Sequence, residues 1–176
     1  MPTFVSMQEH NGMRPQDIII LLKLSIDKQS NLTLPTLSKT LGISSSEISK
    51  SLQRSEYAGF ISLNRKISVT TFLEFLKYGL PYVFPVKPGA PTRGIPTGVS
   101  HPMLKLYFQN IDEFVWPDSS GNTRGYTINP LYPALPKIIT LDEDLYYATA
   151  LVELFRIGKT REKKFAEEEL KKILKP

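Results

Sequence analysis

Leu37-Ser38-Lys39-Thr40-Leu41-Gly42-Ile43-Ser44-Ser45-Ser46-Glu47-Ile48-Ser49-Lys50-Ser51-Leu52-Gln53-Arg54 is the stretch that decides the fold. Leu37 and Leu41 stand one helical turn apart, and Leu34 extends their stripe. Thr33 is placed to cap this short helix, with Pro35 in its first turn. Gly42 supplies the left-handed residue that ends it. Ser44 and Glu47 then have the S-x-x-E spacing of a capping box, with Ile43 and Ile48 as a hydrophobic staple. Ile48 and Leu52 point inward at i, i+4. Ser45, Ser46, Ser49, Lys50, Gln53 and Arg54 are left on the outer faces, and Gly59 closes the helix.

Outward from this pair, the pattern stays helical to about residue 79. Pro15 opens a first helix whose Ile18, Ile19, Ile20, Leu21, Leu22, Leu24 and Ile26 make it apolar over most of its circumference, as in a core element. After Gly59, Ile61-Ser62-Leu63 and Ile67-Ser68-Val69 alternate with period two around Asn64-Arg65-Lys66, predicting a short hairpin with a basic tip. A fourth helix is expected from Val69 to Tyr78, stopped by Gly79.

Two helices joined by a tight Gly-containing turn form a helix-turn-helix, whose second helix presents its N-terminal residues to the major groove. Small polar side chains there permit close approach, and longer donors behind them can reach base edges. Ser45, Ser46, Ser49, Lys50 and Gln53 fit base readout, while Arg54, Arg65 and Lys66 fit phosphate contact. The same features also suit plain caps and a solvated helix face, since tri-helical folds serve in protein contacts too.

Leu37 to Arg54, followed by Ala58-Gly59-Phe60-Ile61, resembles the winged helix-turn-helix of bacterial MarR-like and IclR-like transcriptional regulators. The resemblance covers about residues 15–69. Family members carry an apolar residue where this chain has Ser55, and the wing is short. Nothing after residue 80 looks like the dimerisation helices or the effector domain of those families. What the resemblance implies is double-stranded DNA as partner and a homodimer.

The rest of the chain is different in composition. Ten of the 14 Pro and five of the ten Gly lie between residues 81 and 136. Long helices are disfavoured there, yet Tyr82, Phe84, Tyr107, Phe108, Phe114, Trp116, Tyr126 and Tyr132 make the segment too aromatic for disorder. Phe114-Val115-Trp116 and Tyr126-Thr127-Ile128 flank a turn-rich segment and predict a β-hairpin, with Trp116 in the core. Thr92-Arg93-Gly94 recurs as Thr123-Arg124-Gly125. Arg93 and Arg124 could bind an anion, but a three-residue repeat is weak support and matches no P-loop or dinucleotide fingerprint, so the reading in which each donates to loop carbonyls is preferred. Thr140 and Glu143 suggest a second capping box, and Asp142-Glu143-Asp144 suits the start of a helix running to Gly158. A final amphipathic helix from about Thr160 to Leu174 either packs on its own domain or forms a dimer seam.

The expected fold is therefore α+β and mainly helical. Residues 1–79 read as a winged helix-turn-helix module. Residues 80–176 read as a Pro-rich, β-containing middle followed by two helices serving interaction or dimerisation. The chain of 176 residues is long enough for a core without staples, and it has no Cys. Thiolate metal sites and cysteine nucleophiles are thus excluded, and two His exclude a poly-histidine centre. No nucleophile elbow or P-loop occurs; no enzyme activity, cofactor or metal is expected. The net charge of +5 is distributed as +3 over residues 1–80, −1 over 81–157 and +3 over 158–176, so both ends are basic. No apolar run approaches the roughly 18 residues of a membrane span, and the start lacks a signal-peptide pattern, so a cytoplasmic protein is expected. Two functions stay open. One is a sequence-specific transcriptional regulator. The other is an antitoxin-like or adaptor protein whose C-terminal half binds a partner protein.

Overall fold

The computed structural model describes residues 11–27, 32–62, 66–109 and 112–174. It is an α+β, mainly helical structure. Helix α1 spans Pro15–Ile26, α2 Leu34–Leu41, α3 Ser45–Tyr57 and α4 Val69–Glu74. A π-helical turn, Phe75–Gly79, joins α4 to α5, Leu80–Val83. Strands β1, Pro91–Pro96, β2, Phe114–Pro117, and β3, Thr123–Thr127, follow. Helices α6, Leu135–Ile138, α7, Glu143–Ile157, and α8, Thr160–Ile173, complete the chain.

Helix α1 is the central element. Ile18, Ile19, Ile20, Leu21 and Leu22 are all fully buried, which requires neighbours on every side. Helix α3 packs on one side and α7 on another. One apolar core runs from Ile18 to Leu174. A boundary at residue 79/80 therefore does not separate two cores, and it falls inside a helix. Gly79 does not stop that helix. Its φ is −99°, and the Leu80 N–H reaches the Phe75 carbonyl in the wider π pattern. This turn immediately precedes Pro81, which has no N–H to give and crowds the carbonyl four residues back. Gly79 has a packing reason instead, because a Cβ there would lie 2.7 Å from the Phe75 ring.

The three strands close into a small barrel. The predicted hairpin is not formed: β2 and β3 pair in parallel, with Phe114 beside Tyr126 and Val115 beside Thr127. Strand β1 runs antiparallel to both. Gly94 is the point where β1 changes partner, facing Pro117 of β2 and Thr123 of β3. A Cβ on Gly94 would sit 2.0 Å from the Trp116 carbonyl oxygen, and one on Gly125 2.6 Å from that of Glu113. Only glycine permits this approach of one backbone to another.

The barrel is fixed to α7 by a buried network. Trp116 is fully buried, and its Nε1–H donates to Glu153 at 3.2 Å. Arg156 donates to both Glu153 oxygens, at 2.9 and 2.7 Å, and to the carbonyls of Phe84 and Asn129. Helix α7 starts two residues later than the Thr140–Glu143 spacing predicts. Asp142 is the cap, accepting from the Leu145 N–H at 3.0 Å, and it also pairs with Lys23 of α1 at 2.7 Å. Thr140 instead donates to the Lys137 carbonyl in a 3-10 turn. The apolar stripe of α8 is covered within the chain, with Ala166 and Leu170 fully buried, so it offers no open dimer seam. On its outer face Glu167 pairs with Lys171, and Glu169 with Lys172.

His101 sits beneath this network, 4% exposed and edge-on to the Tyr146 ring at 4.1 Å. Its Nδ1 accepts from the Met103 N–H at 3.2 Å, so it caps a turn. Burial holds its pKa down at about 4. The unfolded chain, with His near 6.5, then binds the extra proton first as pH falls. His101 should thereby cost about 1 kcal/mol of stability per pH unit between about pH 6.5 and 4, and its own contribution should level off below. Urea unfolding across this window checks it: His101→Gln should show a shallower pH dependence than wild type, and equal slopes would refute it.

Candidate nucleic-acid interface

The α2–turn–α3 unit is built as its sequence implies. Thr33 accepts from the Thr36 N–H, and Gly42 ends α2 at φ +61°. The Ser44 side chain accepts from the Glu47 N–H at 3.2 Å. The reciprocal half of the predicted capping box is replaced. The Glu47 carboxylate takes the Gln16 amide at 3.1 Å and faces Arg14 and Lys50, each at 3.6 Å. Cationic and amide donors at the start of α1 outcompete the Ser44 backbone. At the far end, Phe60 N–H reaches the Ser55 carbonyl and Gly59 N–H that of Glu56, with Gly59 at φ +81°. This is a Schellman ending.

The inner face of α3 holds Ile48, Ser51, Arg54 and Ser55. Arg54 corrects the sequence expectation. It is 8% exposed and forks onto the fully buried Asp17 of α1, Nε at 2.9 Å and Nη2 at 2.7 Å. Its guanidinium is committed inside the protein and cannot hold a phosphate. Asp17 also accepts the Arg14 N–H at 2.8 Å, capping α1. Ser55, where the winged families have an apolar residue, is fully buried, and its hydroxyl finds no hydrogen-bond partner among the described residues.

The outer face carries Ser45, Ser46, Lys50 and Gln53, all exposed, and Ser49, half-buried. Tyr57, 78% exposed, continues this face. Positions 46, 50, 53 and 57 follow i, i+4, i+7, i+11, a single stripe along α3. That spacing was available in the sequence, but Tyr57 lies near the helix end, beyond the polar residues that draw notice. Lys39 on α2 is a further exposed cation. Beyond α3, Ile61 and Ile67 form one bridge, closed by the Ser62 N–H to the Lys66 carbonyl at 2.9 Å. Lys66 is exposed beside it, whereas Arg65 lies outside the described residues. The Tyr132 hydroxyl, from the segment after β3, donates to the Gly42 carbonyl at 3.2 Å and fastens the α2–α3 turn to the rest of the molecule.

No family model matches the chain, and neither does any curated protein or solved structure.

Arg93 and Arg124 lie away from α3 in sequence and on the barrel. They are exposed and directly opposite each other in the β1–β3 ladder. The loop-carbonyl alternative fails, since neither donates to a carbonyl among the described residues. Among those residues no group of His, Asp and Glu is arranged to hold a metal ion, and no helix is long and apolar enough to cross a membrane.

Proposed function

We propose that the chain is a sequence-specific DNA-binding regulator of transcription, acting in the cytoplasm through a winged helix-turn-helix in which α3 enters the major groove. One observation carries this reading: the stripe Ser46, Lys50, Gln53 and Tyr57 is fully turned outward, while the opposite side of α3 is locked to α1 by Arg54 and Asp17. A rigid helix with small residues first and long donors behind is what base readout needs. Among the described residues Lys50 is held by a 3.6 Å pair to Glu47 alone, which leaves it able to reach a phosphate or a guanine edge. Glu56, exposed near the end of the helix, repels a phosphate backbone and favours docking through the first turns. Lys66, exposed beside the Ile61–Ile67 bridge, supplies a backbone contact in this reading. The chemistry is binding rather than catalysis.

A homodimer on a two-fold site belongs to the same proposal, with a seam other than α8. The adaptor reading draws on exposed apolar side chains outside the helix-turn-helix: Tyr82 and Leu106 are 84% and 82% exposed. The test is fluorescence anisotropy with a duplex selected by the wild-type protein. Gln53→Ala should relax preference at one base pair, costing about 1–3 kcal/mol for the preferred sequence only. Lys50→Ala should weaken all sequences alike if it holds phosphate. Unchanged binding for both variants counts against α3 as the reading helix.

A further inference from the structure

The repeated tripeptides form one symmetric unit. Thr92 pairs with Gly125, Arg93 with Arg124 and Gly94 with Thr123. The repeat thus lies antiparallel on itself, with a local two-fold axis through the Arg–Arg pair. The glycine side of this ladder faces inward, because the backbone of Trp116 lies against Gly94 and that of Glu113 against Gly125. Strict alternation then sends both arginines to the outer side. Residues directly opposite in an antiparallel pair have Cβ atoms about 4.5–5.5 Å apart, and like charges there repel. No ion pair relieves them among the described residues. Asp118 is close in the chain fold, its N–H donating to the Arg93 carbonyl at 3.3 Å. Its carboxylate, however, is turned to Ser120, accepting from the N–H at 2.8 Å and the hydroxyl at 2.5 Å. Tyr126, 39% exposed, lies two residues along on the Arg face.

We propose that Arg93 and Arg124 together form a phosphate-binding site on the outer face of the barrel. Two planar forks side by side offer more donors than one carboxylate can accept, and a dianionic phosphate supplies both the oxygens and the charge. Its source is either a nucleic-acid backbone or a free phosphorylated ligand, and the same two arginines serve both. The site stands independently of α3 and of DNA recognition there.

The test uses the full chain and the double variant Arg93→Gln/Arg124→Gln. Both substitutions are on exposed side chains and remove a repulsion, so the variant should fold at least as well as wild type. In the first arm, inorganic phosphate replaces chloride at matched ionic strength. Phosphate should raise the Tm of wild type and leave that of the double variant unmoved; Arg93→Lys/Arg124→Lys, which keeps charge but loses the forks, should keep only part of the gain. In the second arm, duplex binding is measured against salt. A slope of log K on log salt that falls by about 2 in the double variant places the phosphate on nucleic acid. An unchanged slope, or a wild type that binds no duplex, with the phosphate effect retained, places it on a free ligand. Wild type and double variant behaving alike in both arms overturns the site.

Discussion

Asp17→Ala should lower the unfolding free energy by about 3–5 kcal/mol, the typical loss when one partner of a buried ion pair is removed. Asp17 is fully buried, and both of its oxygens are occupied by the Arg54 fork. Its removal leaves a guanidinium in the core with no counter-charge, and it also uncaps the Arg14 N–H at the start of α1. The loss is to be read from urea unfolding. A double variant, Asp17→Leu/Arg54→Met, should recover most of it, because an apolar pair of similar volume leaves no buried charge. A loss below about 1 kcal/mol for Asp17→Ala would mean the pair is solvated. The functional consequence follows from the position of Arg54. The pair fixes the rotation of α3 about its axis, and so decides which side chains face outward. Asp17→Ala should therefore weaken duplex binding although Asp17 is nowhere on the surface.

Gly94→Ala should be nearly as damaging, with a loss of about 3 kcal/mol, at the upper end of overpacking effects. The added Cβ would fall 2.0 Å from the Trp116 carbonyl oxygen and 2.8 Å from its carbon. The obstacle is backbone, so no rotamer change relieves it. Strand β2 must move, and Trp116 moves with it, pulling its Nε1–H from Glu153. Gly89→Ala is the control: its Cβ would meet Thr127 at 3.5 Å, an ordinary contact, and stability should stay within about 0.5 kcal/mol. Equal effects at both positions would contradict the closed barrel. Wild-type-like stability of Gly94→Ala would do the same.

Local signals are legible in this sequence where one residue acts on its near neighbours. Thr33, Gly42, Ser44 and Gly59 mark the ends of α2 and α3 because caps and left-handed turns are short-range devices. The unbroken Ile18–Leu22 run gives α1 away as buried on all sides. What stayed hidden depends on contacts far along the chain. Asp17 and Arg54 are 37 residues apart, and an arginine behind a polar helix face looks like a phosphate ligand until its partner is located. The sequence suggests a hairpin because Phe114–Trp116 and Tyr126–Ile128 both look like strands, whereas the strand that pairs with both, Pro91-Thr92-Arg93-Gly94-Ile95-Pro96, has two Pro and a Gly. Its pairing rests on what a glycine lets another backbone do, which leaves no hydrophobic period to detect. Thr140 lost its cap to Asp142 for a similar reason, since Asp142 also answers Lys23 from the other end of the molecule.

The Thr-Arg-Gly repeat belongs to the same class. Its two copies are 31 residues apart, and each alone is an ordinary turn-like tripeptide. Only the ladder register brings them face to face and assigns opposite sides to Gly and Arg.

The central claim is that the outer face of α3 reads base sequence, and the most direct measurement is selection from a pool of randomised duplexes by the full chain. Wild type should enrich one motif, arranged as two half-sites if the protein binds as a dimer, and Lys50→Ala/Gln53→Ala should lose that enrichment with thermal stability unchanged. A pool that stays random with wild type, or a motif that the double variant selects equally well, would contradict it.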